Sequence, residues 1–210
     1  MKPLINEEFE ILKWDEHFKD YKLLRLRVPT DGSCYFHALA KAYFKPYITG
    51  KIDDETFDRK SFIRNLRKDL AKKLGSNIDP KDHRSKTYYD TLSNGELKKI
   101  AKSLPEYSLE NMQKELSSST TSISNIYNEF ISNELNIDIY ILDALKKDVY
   151  MTGTEDKLLY KNRKSIVILY MPGHYELVGY SPSQDYVETY FEPTHPFIKH
   201  IQNRMNQLRK

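Results

Sequence analysis

Only one cysteine, Cys34, occurs among the 210 residues. An internal disulfide framework needs paired thiols and a multi-cysteine zinc cage needs several, so both are excluded. A lone thiol also suits a reducing compartment. No apolar run approaches the ~20 residues that a membrane-spanning helix requires. The opening stretch MKPLINEEFEILKW lacks the apolar centre of a signal peptide. The expected location is therefore intracellular, the cytoplasm or, for a pathogen's protein, the cytosol of its host. An excess of one charge is missing as well. Lys and Arg number 33 against 30 Asp and Glu, a net charge of +3, well short of the basic footprint of a nucleic-acid binder. There is no internal repeat and no long low-complexity tract.

What is present is a chain long enough to bury its own core. At 39% hydrophobic and 30% charged it is polar for a globular protein, yet too rich in Tyr, Phe, Ile and Leu for disorder. Length favours one domain spanning residues 1–210. Residues 7–22 form a candidate amphipathic arm, leading into 23–28, whose later positions alternate as a short strand does. Residues 29–33 punctuate the chain. Residues 34–44 (CYFHALAKAYF) have helical composition and are ended by Lys45-Pro46. Phe62, Ile63, Leu66, Leu70 and Leu74 recur at three- and four-residue spacing, predicting a helix over about 56–74 closed by Gly75. Residues 76–122 are weakly patterned, with short helices expected near 94–104 and 108–116. They suit either a substrate-binding elaboration or plain surface scaffolding. A clear apolar stripe marks a helix over 123–135.

Strands follow. Apolar runs at 137–142 and 166–170 predict central strands. A third, 175–180, pairs with its predecessor through the turn chemistry of Met171-Pro172-Gly173. Thr194-His195-Pro196 predicts the start of a C-terminal helix ending near Leu208. Helices first and strands later imply an α+β fold, a small central β-sheet flanked by helices.

The segment richest in chemistry is Pro29 to Ala38. Asp31-Gly32 makes a turn into a helix whose first residue is Cys34, with Ser33 a natural N-cap. A thiol at a helix start faces the positive end of the macrodipole and unpaired N–H groups, which lower its pKa. The same N–H groups can bind an oxyanion. A lone cysteine is equally at home as a small buried hydrophobe, and Asp31 as an ordinary turn residue. Of the six histidines, only His174 opens a predicted strand just after a tight turn. That position is rigid yet accessible, as a base meeting a distant nucleophile must be. Glu176 shares its strand face and is placed to orient the ring. The plain alternative is an exposed His–Glu pair on a hairpin. His37 is expected to be packed, and nothing places His195 or His200 near the thiol. The basic stretches 161–164 and 204–210 read as solvated faces.

PTDGSCYFHALA resembles the cysteine box of the ovarian tumour (OTU) deubiquitinases: D-G-x-C followed by aromatic residues and a small-residue helix. GHYELVGY, after a strand, resembles that family's histidine box, and the order and separation of the two also match. The resemblance covers roughly residues 23–180. It implies a papain-like cysteine protease fold and cleavage of the isopeptide bond after the C-terminal glycine of ubiquitin. Carried over by position, Cys34 resembles the nucleophile and His174 the general base. Asp31 matches the aspartate three residues before the cysteine, which supports the histidine or the oxyanion region. Many members carry Asp or Asn two residues after the histidine. Here the residue is Glu176, which leaves the third triad member open between Asp31 and Glu176. Asp31 is favoured as the more damaging loss, because it matches the pattern without departure.

The implied partners are ubiquitin or polyubiquitin chains, with no nucleic acid and no membrane. The chemistry calls for no cofactor and no metal. Two alternatives stand beside the deubiquitinase: a hydrolase of a ubiquitin-like modifier, and a catalytically silent module that binds ubiquitin.

Overall fold

The computed structural model of the protein describes residues 2–3, 8–14, 16–153, 155–183 and 185–210. Of the expected arm, Glu7 and Asp15 lie outside the described residues. The central sheet has six strands: β1 (Phe9–Leu12), β2 (Leu23–Leu26), β3 (Asp138–Asp143), β4 (Asp148–Val149), β5 (Ser165–Met171) and β6 (His174–Tyr180). Their spatial order is β1-β2-β6-β5-β3-β4. β3 and β5 run parallel, Asp138 opposite Ser165, and the other neighbours are antiparallel. The principal helices are α1 (Cys34–Tyr43), α2 (Arg59–Leu74), α3 (Leu109–Ser117), α4 (Asn128–Leu135) and α5 (Pro196–Leu208). This is the expected α+β architecture: a curled central sheet with helices against it.

Both faces of the sheet are covered, which explains why its central strands read as unbroken apolar runs. Leu24, Leu26, Ile139, Ile141, Ile166, Ile168 and Leu177 face one core, shared with α1, α2, α3 and α4. Leu23, Tyr140, Leu142, Val167, Leu169 and Val178 face the other, against α5 and the aromatic pair Trp14 and Phe18. Alternate residues of each strand thus serve opposite cores. Among the described residues, no helix is long and apolar enough to cross a membrane.

Several boundaries differ from the sequence expectations for local reasons. The arm folds back as β1, an edge strand placing Glu10 opposite Arg25. Its four residues are exposed or half-buried, so no apolar alternation announces it. β2 stops at Leu26 rather than Val28. After α1, Phe44 is extended and a second short helix, Lys45–Thr49, begins at once. Pro46 sits in its first turn, where a missing N–H costs nothing. The stripe from Ile123 is split between a 3₁₀ turn at Asn125–Tyr127 and α4, which Asn136 closes in the left-handed region (φ 53°). α2 starts at Arg59, because Asp58 accepts the Ser61 N–H and caps it.

Candidate active site

Gly32 sets the approach to α1. Its φ is +78°, and a β-carbon there would stand 2.4 Å from the Thr120 carbonyl group. Only glycine lets the Asp31-Gly32 turn pack directly on the 117–122 segment. Ser33 occupies the N-cap position but makes no side-chain cap bond. Its hydroxyl instead donates to the Ser119 carbonyl (3.1 Å) and accepts from Arg67 Nη1 (2.9 Å). The expected capping serine is thus committed to tying two loops together, leaving the first N–H groups of α1 without a side-chain cap.

Arg67 is the anchor of that tie. It projects from α2, is fully buried, and lies over the Phe36 ring at 4.9 Å. Its guanidinium donates to the carbonyls of Gly32, Leu116 and Glu115 (2.9 Å each) and Thr121 (2.8 Å). Five donors in a planar fork suit this task, which a point charge cannot do. Sequence reasoning missed it. The available signal was a charge at the four-residue spacing of the buried Ile63 and Ala71, on the face of α2 meant for the core.

Cys34 opens α1 and is 2% exposed. Its Sγ accepts the N–H of Tyr175 at 3.4 Å, so the residue directly after His174 touches the thiol. Tyr175 is held there by an edge contact with Tyr35 and a tilted one with Tyr170. Tyr35 in turn donates to Asn128 Oδ1 at 2.6 Å, fixing α1 to α4. Burial pushes the Cys34 thiol up, and the N–H groups of Tyr175, Tyr35 and Cys34 itself offset only part of that. The lowered pKa expected from the helix start is therefore not found: the cost of burying a thiolate outweighs the gain from the N–H groups.

His174 begins β6 after Gly173, whose φ is +75°. Its Nε2 lies 3.2 Å from Glu176 Oε1. The Glu176 side chain is almost fully buried and also accepts from Arg25 Nε. Asp31 is placed elsewhere. Its Oδ1 accepts the Ser33 N–H (3.1 Å) and its Oδ2 lies 3.1 Å from His37 Nε2. His37 is buried, as expected, with Nδ1 2.6 Å from the Tyr47 hydroxyl. Burial pulls the Asp31 carboxyl up, but the Ser33 N–H and His37 outweigh it and hold it below its ordinary value. The structure thus pairs His174 with Glu176 and sets the next residue of the strand, Tyr175, against Cys34. Asp31 joins them through the turn rather than through the His174 ring.

Two surface grooves meet at His174. One, about 310 Å³, is lined by Ile123, Tyr150, Tyr170, Gly173, His174 and Tyr175. The other, about 660 Å³, runs past Arg25, Arg27, Pro29, Thr30, His174 and Glu176. Among the described residues, no group of His, Cys, Asp and Glu side chains is arranged to hold a metal ion.

No family model matches the chain, and no curated protein matches it. Solved structures do. An ovarian tumour domain in complex with ubiquitin is 18% identical, with 95% of this chain and 94% of that one covered and a TM-score of 0.55. The viral OTU domain protease from Dera Ghazi Khan virus is 14% identical over 85% of this chain and 97% of its own (TM-score 0.44). The Hazara virus OTU bound to ubiquitin is 13% identical over 86% and 99% (TM-score 0.41). The chain has the fold of an ovarian tumour domain.

Proposed function

We propose that this protein is a cysteine-type deubiquitinase that hydrolyses (iso)peptide bonds at the C-terminus of ubiquitin through a thioester. The observation that supports this reading is the Tyr175 N–H to Cys34 Sγ contact, one residue along the strand from a histidine bonded to a carboxylate. Cys34 is the nucleophile and His174 the base. Glu176 orients the ring: accepting a bond at Nε2, it assigns that nitrogen the proton of the neutral imidazole and leaves Nδ1 as the base. Asp31 holds the turn that presents the N–H groups of the α1 start, and so shapes the oxyanion site. His174 takes the Cys34 proton as Sγ attacks the carbonyl carbon. N–H groups at the start of α1 stabilise the tetrahedral oxyanion. The imidazolium then gives its proton to the leaving amine, and water activated by the same ring hydrolyses the thioester.

A ubiquitin probe with an electrophilic C-terminus tests the reading. It should form a covalent adduct at Cys34 that is absent in Cys34→Ala. Labelling only by a probe built on a ubiquitin-like modifier would move the substrate to that class. Ubiquitin binding with neither labelling nor hydrolysis would make the chain a silent binding module.

A further inference from the structure

Glu176 is 3% exposed, and a carboxylate so buried needs donors or a cation against it. Arg25 supplies both. It lies on β2 opposite Val178, one diagonal step from Glu176 on the same sheet face. Its Nε donates to Glu176 Oε2, while Oε1 of that carboxylate is 3.2 Å from His174 Nε2. Nη1 of the same guanidinium donates to Glu10 Oε2 at 3.1 Å, and Glu10 stands directly opposite on β1. Glu10, Arg25, Glu176 and His174 therefore form a line across three strands, in which charge alternates from Glu10 through Arg25 to Glu176. The bond to Glu176 is the leading reason that Arg25 holds its proton more tightly than usual.

We propose that Arg25 is a positioning residue for the His174 base, and that Glu10 moderates it. The inference rests on the roles given to His174 and Glu176 above. Arg25 does two things through Glu176. Its planar donors fix the carboxylate, and hence the ring that the carboxylate holds. Its charge also stands behind the carboxylate, so removing it favours uptake of a proton by the His174–Glu176 pair. Glu10 offsets part of that charge from the edge strand. Among the described residues, the other ionisable groups lining the two grooves are Glu8 and Arg27 in one, and Glu115 with the phenols of Tyr150, Tyr170 and Tyr175 in the other. All of them stay in place in the variants below, so the test isolates the line itself.

The experiment is an NMR titration of the His174 imidazole in the full chain, for wild type, Arg25→Gln, Glu10→Gln and Arg25→Lys. The quantity read is the midpoint of the first proton taken up by the His174–Glu176 pair. Removing a cation raises that midpoint wherever the proton settles, so Arg25→Gln should shift it upward by roughly half a unit or more. Glu10→Gln should shift it downward. Arg25→Lys should leave it near wild type while lowering kcat on a ubiquitin substrate and sparing KM, because charge is kept and the fork is lost. An unmoved or lowered midpoint in a folded Arg25→Gln protein, with folding checked by circular dichroism, overturns the proposal. So do shifts of the same sign in Arg25→Gln and Glu10→Gln. If the midpoints move as stated but wild type cleaves no ubiquitin substrate, the charge line stands and the assigned reaction fails.

Discussion

Replacing Arg67 by Met is the sharpest test of how this site is held. Met keeps much of the side-chain volume on α2 and removes every donor. The carbonyls of Gly32, Glu115, Leu116 and Thr121 and the Ser33 hydroxyl then lose a partner in the interior. A net contribution near 1 kcal/mol per bond gives about 4–5 kcal/mol. Relief from burying an unpaired cation takes some of that back, so the expected loss is about 3–5 kcal/mol. For a chain of this size that is a fall of roughly 6–20 °C in melting temperature. Urea denaturation followed by tryptophan fluorescence measures it. The single tryptophan, Trp14, packs in the opposite core, so its signal reports global unfolding rather than loosening of the loops. The same variant, below its transition, should lose about 10²-fold in kcat, because the Gly32–Ser33 turn that aims Cys34 is no longer fixed. A loss under about 1 kcal/mol with an unchanged denaturant slope would refute the idea that Arg67 ties the loops.

Five further outcomes are expected. Cys34→Ala should abolish hydrolysis and leave the urea midpoint close to wild type. In the unliganded wild type, iodoacetamide should alkylate this thiol with a midpoint above the ordinary ~8.5, since burial pushes it up; a midpoint below 7 would contradict that balance. Glu176→Gln should lower kcat by about 10–10²-fold with little change in KM, because its bond to the ring strengthens as imidazolium forms. Asp31→Ala, which frees the Ser33 N–H and His37, should lower both kcat and the urea midpoint; an intact urea midpoint in Asp31→Ala would remove its role in the turn. Burial, only partly offset by Asp31, holds the His37 pKa below its ordinary value. The unfolded chain then binds a proton below about pH 6.5 that the folded chain refuses. Stability from this source is full above that pH and lost as the pH falls through it, so urea midpoints at pH 7, 6 and 5 should decline more steeply in wild type than in His37→Gln.

Elements that bury one face or two could be read from the residues alone. Strands 137–142, 166–170 and 175–180, and the helices from Cys34 and over 56–74, announced themselves because hydrophobic spacing records which side meets the core. Cys34, Asp31, His174 and Glu176 were legible for a related reason: a turn before a helix, or the start of a strand, is a local property that residue types specify. Tertiary structure decided what these residues touch. Glu176 rather than Asp31 bonds the His174 ring, since the pleat of β6 sets both on one face while the turn hands Asp31 to His37. The thiol's pKa went up rather than down, because helix position is written in the chain and burial depends on β6 and α4 closing over it. Arg25, Glu10 and Arg67 carried no motif at all. Their partners are backbone carbonyls and carboxylates far away in the chain, and an arginine's value as a clamp exists only once folding has brought those acceptors within reach of its fork.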